Sequence, residues 1–287
     1  MADPFSSLVA LQPASGGMRA NRGPPGVSPG IKGGVGGGFG VGSPYIGVSP
    51  AQGHVLDAHT AALWRFDEAS ATNPVDLTGH YTLTQYGSPG VVAGQIGNAR
   101  QLDGTSMFFQ RQGDAALGTV FNGSWTIEAW LYLATGSTAG TIFIYSGLDF
   151  TVQTSDVVLA DFGVDSLNRI SWRQWVSPTY GVTFSGGTPL SLDTWHHVAL
   201  IRQELGYSFY QLILYLDGVS DGANNASGLT TPISGASHYI GVGNYMTNAG
   251  PGTAGGLITG RIDDMRISKV VRSPEEIKIS YQRGVGG

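Results

Sequence analysis

From Ala61 onward the chain repeats one device: short runs in which apolar and polar side chains alternate, each closed by Gly, Asn, Asp or Pro. Successive residues of a strand point to opposite faces, so such runs are half-buried strands, and many in succession build an all-β sandwich or barrel. In residues 125–133, Trp125, Ile127, Ala129, Leu131 and Leu133 share one face, and Thr126, Glu128, Trp130 and Tyr132 the other. Leu212, Leu214 and Leu216 form a similar stripe before a turn at Asp217-Gly218. Strands are expected at 62–66, 100–102, 107–111, 125–133, 141–146, 150–154, 157–162, 169–176, 181–184, 195–203, 208–216, 238–243 and 257–268. Few uninterrupted helical windows remain. One short C-terminal helix is signalled by Ser273-Pro274-Glu275-Glu276, which supplies an N-cap, a first-turn proline and the Glu of a capping box. It should begin near Pro274, with the final GVGG frayed.

The first 57 residues follow another rule. Residues 1–55 hold 7 of the 14 prolines and 14 of the 45 glycines, with few large apolar residues and no period of 2 or 3.6, so nothing there can nucleate a core. The domain division is therefore an extended Gly/Pro-rich arm at 1–57 and a sandwich at 58–287. The arm is either a flexible linker or a segment that orders on another subunit, and the second reading is preferred. Phe5, Leu8, Val9, Leu11, Phe39, Tyr45 and Ile46 would then be its anchors.

Composition excludes several functions. A net charge of −5 with scattered Lys and Arg offers no basic face, which argues against nucleic acid or anionic lipid as partner. Without cysteine there is no disulfide framework, thiolate metal site or Cys nucleophile. The opening MADPFSSLVALQPASGG lacks the basic and apolar regions of a secretory signal, and no run of eighteen apolar residues occurs, so membrane insertion is not expected. On that reading the chain is made in the cytoplasm and leaves a cell only by another route, such as inside an assembled particle.

Taken in order, LWRFDEASATNPVDLTG, GQIGNARQLDG, WTIEAWLYLA, DTWHHVALIRQ, LYLDGV, YIGVGN and GRIDDMRISKVVRSPEEI resemble the successive conserved stretches of laminin-G-like, concanavalin A-like lectin domains. Together they cover roughly residues 61–283. The doubled Asp of RIDDMRIS and its basic connector are most similar to the versions in tailed-bacteriophage structural proteins. The resemblance implies a jelly roll of two antiparallel sheets with loops gathered at the rims. It also implies a virion subunit made in the host cytoplasm, a capsid decoration, tail or fibre protein. The arm would dock on other virion subunits and the sandwich would serve host-surface glycan adhesion, in a homo-oligomer or symmetric array.

Candidate chemistry is sparse. His196 and His197 are neighbours on a strand and point to opposite faces, so they cannot chelate one ion together; a structural role is expected for both. Counting by twos places Asp263 on the core face with Met265 and Ile267, where a carboxylate must be hydrogen-bonded, paired or metal-bound. The resemblance implies a structural calcium near the strand ends, for which Asp263 is the candidate ligand. Tyr180, Asn244 and Tyr245, read as loop residues, are the candidates for stacking on and hydrogen-bonding to a sugar ring. Gly26-Val27-Ser28-Pro29-Gly30 has the spacing of a nucleophile elbow, but Pro29 has no N–H to lend to an oxyanion hole. Glycan-cleaving relatives of this fold place two carboxylates at the scissile bond; the central strand offers only Glu128, read as a sheet-surface residue. No catalytic residue is assigned and no enzyme is expected. The alternatives to the virion role are a free carbohydrate-binding module and a cement or spacer protein without ligand.

Overall fold

The computed structural model describes residues 51–112, 115–137, 139–147, 157–177, 180–207, 209–227, 238–243 and 256–286. Its strands in the first half are β1 (Thr60–Trp64), β2 (Thr84–Tyr86), β3 (Gly90–Ala93), β4 (Asn98–Asp103), β5 (Phe108–Gln112), β6 (Trp125–Leu133) and β7 (Gly140–Gly147). Those in the second half are β8 (Val157–Val164), β9 (Arg169–Ser177), β10 (Tyr180–Pro189), β11 (Trp195–Gly206), β12 (Phe209–Leu216), β13 (Val219–Ser227), β14 (His238–Val242) and β15 (Thr259–Ser268). Helices are α1 (Ala115–Phe121) and α2 (Pro274–Val285). An eight-stranded antiparallel sheet runs β13-β12-β11-β6-β15-β4-β3, with β1 on β15, and a seven-stranded antiparallel sheet runs β10-β9-β8-β7-β14-β5-β2. The fold is all-β, as the alternation requires, and its two packed antiparallel sheets are the jelly-roll sandwich that the family resemblance implies.

Alternation sends one face of each sheet into the shared core. From the larger sheet come Ile127 and Leu131 of β6, Val198 and Leu200 of β11 and Leu214 of β12; from the smaller come Phe143, Phe162 and Ile240. Trp125 of β6 and Trp172 of β9 meet across the gap with ring centroids 5.5 Å apart. Each such side chain contributes about 1.5–3 kcal/mol by leaving water, so this face fixes the register of β6, β11 and β15.

The strand expected at 150–154 and the anchors Phe5, Leu8, Phe39, Tyr45 and Ile46 lie outside the described residues. Three short or polar strands, β2, β3 and β13, were not anticipated. They are the edge strands at three sheet ends. An edge needs no apolar alternation on both sides, and VSDGANNAS has none. Helix α1 was not anticipated either: its seven residues include Gly and two β-branched side chains, and it is tied to the core by Leu117 and Phe121, spaced i and i+4, with half-buried Val120 packed beside them. Near the chain's end the capping box closes as expected, with Ser273 accepting from the Glu276 N–H and the Glu276 carboxylate accepting from the Ser273 N–H. The helix runs on to Val285, beyond where fraying was expected.

The outer face of the larger sheet is covered. Ile277 of α2 packs with Ala199, Ile201 and Tyr215, and Tyr281 stacks on Trp130 with centroids 5.9 Å apart. Gly284 rests against the Trp130 ring so closely that a Cβ there would collide with the indole. Residues 51–57 lie on the same face: the Gln52 N–H donates to the Arg283 carbonyl at 2.8 Å, and the Arg272 guanidinium pairs with Asp57 at 2.7 Å. The compact unit containing the sandwich runs from Gly47 to Gly287, so residues 51–57, assigned to the arm by composition, belong to this body.

Two expectations about this outer face differ from the structure. Glu128 faces away from the core, as the alternation requires, yet it is fully buried and not a sheet-surface residue, because α2 and residues 51–57 lie over it. Asp263 does not share the core face with Met265 and Ile267. A bulge between Asp263 and Arg266, with Asp264 at φ 42, resets the alternation, and Asp263 pairs with Trp130 on the outer face. It is still 0% exposed, so the demand for a partner stands.

Candidate functional site

Three adjacent central strands carry a polar cluster beneath that cover. β6 supplies Glu128, β11 supplies His197 and β15 supplies Asp264 and Arg266; Arg266 sits directly opposite Glu128, and His197 opposite Trp130. His54 enters from the segment before β1. Its Nδ1 lies 2.8 Å from Asp264 Oδ2 and 2.7 Å from the Asp264 carbonyl, and its backbone N–H donates to Oδ2 at 2.5 Å. Arg266 donates through Nε and Nη2 to Glu128 Oε2 at 3.1 and 2.5 Å, and through Nη2 to the Ser280 hydroxyl at 3.2 Å. Both arginine bonds fall on the same carboxylate oxygen. Glu128 Oε1 has no hydrogen-bond partner among the described residues.

That oxygen points at two imidazoles. His54 Nε2 is 3.6 Å from Glu128 Oε1, His197 Nε2 is 3.7 Å from it, and the two nitrogens are 3.4 Å apart. The three side chains are at most 1% exposed. Burial alone would lower the basicity of His54, but the Asp264 and Glu128 carboxylates outweigh it and raise its pKa from 6.5 to about 9. For His197 burial dominates, and Glu128 only partly offsets it, so the pKa falls to about 4 and the ring is neutral at pH 7. Burial opposes ionisation of Glu128 too, yet Arg266 and His54 hold its carboxyl far below the usual range. The result is a dry, charged network at the junction of four chain segments.

His196 and Asp263, singled out in the sequence, take no part in this cluster. His196 turns to the other side of β11, its Nδ1 2.8 Å from Asp217 Oδ2, so the adjacent pair is divided as strand geometry requires. Asp263 Oδ2 accepts from the Ile96 N–H at 2.9 Å, while burial pushes its carboxyl up to about 8 against that bond. Oδ1 has no hydrogen-bond partner among the described residues, but no group of three ligating side chains forms around it there. Calcium takes six to eight oxygens, and no such group of carboxylates gathers around Asp263 among the described residues. Tyr180 is the first residue of β10, paired with Ser177, not a loop residue. Asn244 and Tyr245 lie outside the described residues.

What the sequence reading missed is His54. It sits in a stretch whose glycine and proline content reads as linker, and its partners are 74, 143 and 210 positions away at Glu128, His197 and Asp264. The one local signal is the apolar-polar run Gly53-His54-Val55-Leu56-Asp57, which departs from the preceding low-complexity tract.

No curated protein matches this sequence. Among solved structures, domain 4 of the extracellular GH43 arabinanase of Geobacillus stearothermophilus, in complex with arabinotriose, is similar at 18% identity and a TM-score of 0.51, over 79% of this chain and 100% of that one. The binding domain of botulinum neurotoxin serotype D/C is similar at 14% identity and a TM-score of 0.54, over 78% of this chain and 51% of that one. A Trypanosoma rangeli sialidase bound to the inhibitor DANA matches at 15% identity and a TM-score of 0.51, over 79% of this chain and 33% of that one. The chain thus spans about half of the neurotoxin domain and a third of the sialidase; at these identities the likeness is one of fold. In sequence, the laminin-G-like family described as the concanavalin A-like lectin/glucanases superfamily matches residues 111–278, which hold β6 to β15 and the start of α2. That stretch is more than half of the chain and contains the paired core faces of both sheets, and the protein therefore belongs to the concanavalin A-like lectin/glucanases superfamily.

Proposed function

We propose that the protein is a non-enzymatic virion subunit, a capsid decoration, tail or fibre protein, whose sandwich binds glycan on a host surface. The observation that carries the glycan reading is the similarity to all of an arabinanase domain that is solved holding an oligosaccharide. The similar neurotoxin binding domain supports a recognition role in the same way. The non-enzymatic reading rests on Glu128, the one acidic residue of central strand β6, which is sealed under α2 and bound to Arg266; a hydrolytic pair needs two carboxylates that reach the substrate. No helix among the described residues is long and apolar enough to cross a membrane.

Tyr180, Asn244 and Tyr245 are the sugar contacts in this proposal. A glycan array probed with the full chain, with and without added calcium, should give a defined set of binders that Tyr180→Ala or Tyr245→Ala weakens. Signal at background in both conditions sinks the adhesion reading. The virion role rests on the Gly/Pro-rich arm and the phage-like closing motif, and is tested separately: deleting residues 2–50 should abolish incorporation into particles, and unchanged incorporation overturns it. One surface feature favours a cement role as a second reading. Leu205, Tyr207 and Phe209 are all exposed around the β11–β12 hairpin, an apolar tip suited to a neighbouring subunit.

A further inference from the structure

The triangle formed by His54 Nε2, His197 Nε2 and Glu128 Oε1 is looser than ordinary hydrogen bonds and has the right size for ligands. Its edges are 3.4, 3.6 and 3.7 Å. Hydrogen bonds between such atoms close to roughly 2.7–3.2 Å. A point equidistant from the three atoms lies about 2.1 Å from each, the distance at which zinc takes imidazole nitrogen and carboxylate oxygen. Among the described residues these three side chains are the one set of three or more potential ligands gathered in one place.

A second observation points the same way. Glu128 Oε1 is completely buried and without a hydrogen-bond partner among the described residues, and it is aimed into the triangle while Arg266 occupies the other oxygen. Leaving a buried carboxylate oxygen without a hydrogen bond is costly, and a cation at the centre offsets that cost. His54 also has the outer partner that metal-bound imidazoles have: its far nitrogen, Nδ1, is held by Asp264, which fixes the ring and leaves Nε2 facing inward.

We propose that His54, Glu128 and His197 bind one divalent transition-metal ion of the zinc class, which ties residues 51–57 to the outer face of the larger sheet. Two nitrogens and one carboxylate oxygen suit zinc and its neighbours over calcium or magnesium, and leave one position of a tetrahedron to a small ligand such as water. The site is closed by α2 and by its own segment, so its role is structural: it fastens the root of the arm to the sandwich. Glu128 and His197 lie inside the stretch matched by the family and His54 lies outside it, so the site is completed by a residue beyond the matched domain.

The test uses the full chain refolded from denaturant with or without one equivalent of zinc, because a closed site loads as the protein folds. One zinc per chain should survive gel filtration, and zinc but not magnesium should raise the melting temperature. Cobalt in its place should show the strong visible bands of a four-coordinate ion. His54→Gln should abolish stoichiometric retention, and Asp264→Asn, acting through His54, should weaken it about ten-fold. Equal zinc content in wild type and His54→Gln, or no zinc in the wild type, overturns the proposal. Should His54→Gln fail to fold, X-ray absorption on the zinc-loaded wild type decides: two imidazoles and an oxygen ligand support the site, and a six-oxygen shell overturns it.

Discussion

At the scale of single residues the polar cluster and one turn make the sharpest demands. Arg266 is the hydrogen-bonding partner of a carboxylate with no access to water, and removing one member of a buried ion pair costs more than the pair itself contributes. Arg266→Met should therefore lower stability by about 3–5 kcal/mol in denaturant unfolding, and adding Glu128→Gln should restore part of it. Asp103 makes a different demand. Despite partial burial, its carboxylate accepts the N–H groups of Thr105, Ser106 and Met107 at 2.9, 2.7 and 2.8 Å and two hydroxyls, which hold it far below its ordinary 3.8. A carboxyl with a depressed folded-state pKa contributes stability that is present above its unfolded value and lost as pH falls through its folded one. Asp103→Asn should thus lower the melting temperature at pH 7 by about 2–4 °C, with the gap closing once the pH drops below about 4. A gap that persists unchanged into acid would mean that charge has no part in the turn. Arg266 was not legible in the sequence as a partner of Glu128, because their pairing depends on β15 lying beside β6.

Elements were read well where burial on one face is strict and poorly where it is not. β6 was expected at 125–133 and runs Trp125–Leu133, because five apolar side chains on one face leave a single register. β13 escaped notice as an edge strand, held to β12 through the Asp217-Gly218 turn, where φ is 50 and 76. α2 announced its start through its capping box, but what it covers was not readable from its own residues: few apolar side chains, chiefly Ile277 and Tyr281, meet the sheet. Gly284 is the closest point of that contact. Gly284→Ala should drive a methyl into the Trp130 ring, cost about 1–3 kcal/mol and alter Trp130 fluorescence. An unchanged melting curve and emission spectrum would show that the helix end lifts off freely.

For the whole molecule the question is where the sandwich body begins. A chain starting at Gly47 keeps His54, the Gln52 bond to Arg283 and the Asp57 pair with Arg272, and should melt like the full protein. A chain starting at Ala58 leaves Glu128 and Asp264 buried without His54 and should be less stable by about 3–5 kcal/mol in the same assay. Equal stability of the two would reduce residues 51–57 to a passive strap. The sequence by itself determined the all-β character of the domain, its central strands and the division of His196 from His197, since period-two burial and the opposed faces of neighbouring residues are local rules that survive any packing. Only the tertiary structure decided that Glu128 is sealed, that Asp263 faces outward and that His54 joins His197. The first depends on a helix about 150 positions later folding over β6, the second on a one-residue bulge that reverses parity, and the third on a segment with no periodicity of its own reaching the carboxylate of Asp264 on β15.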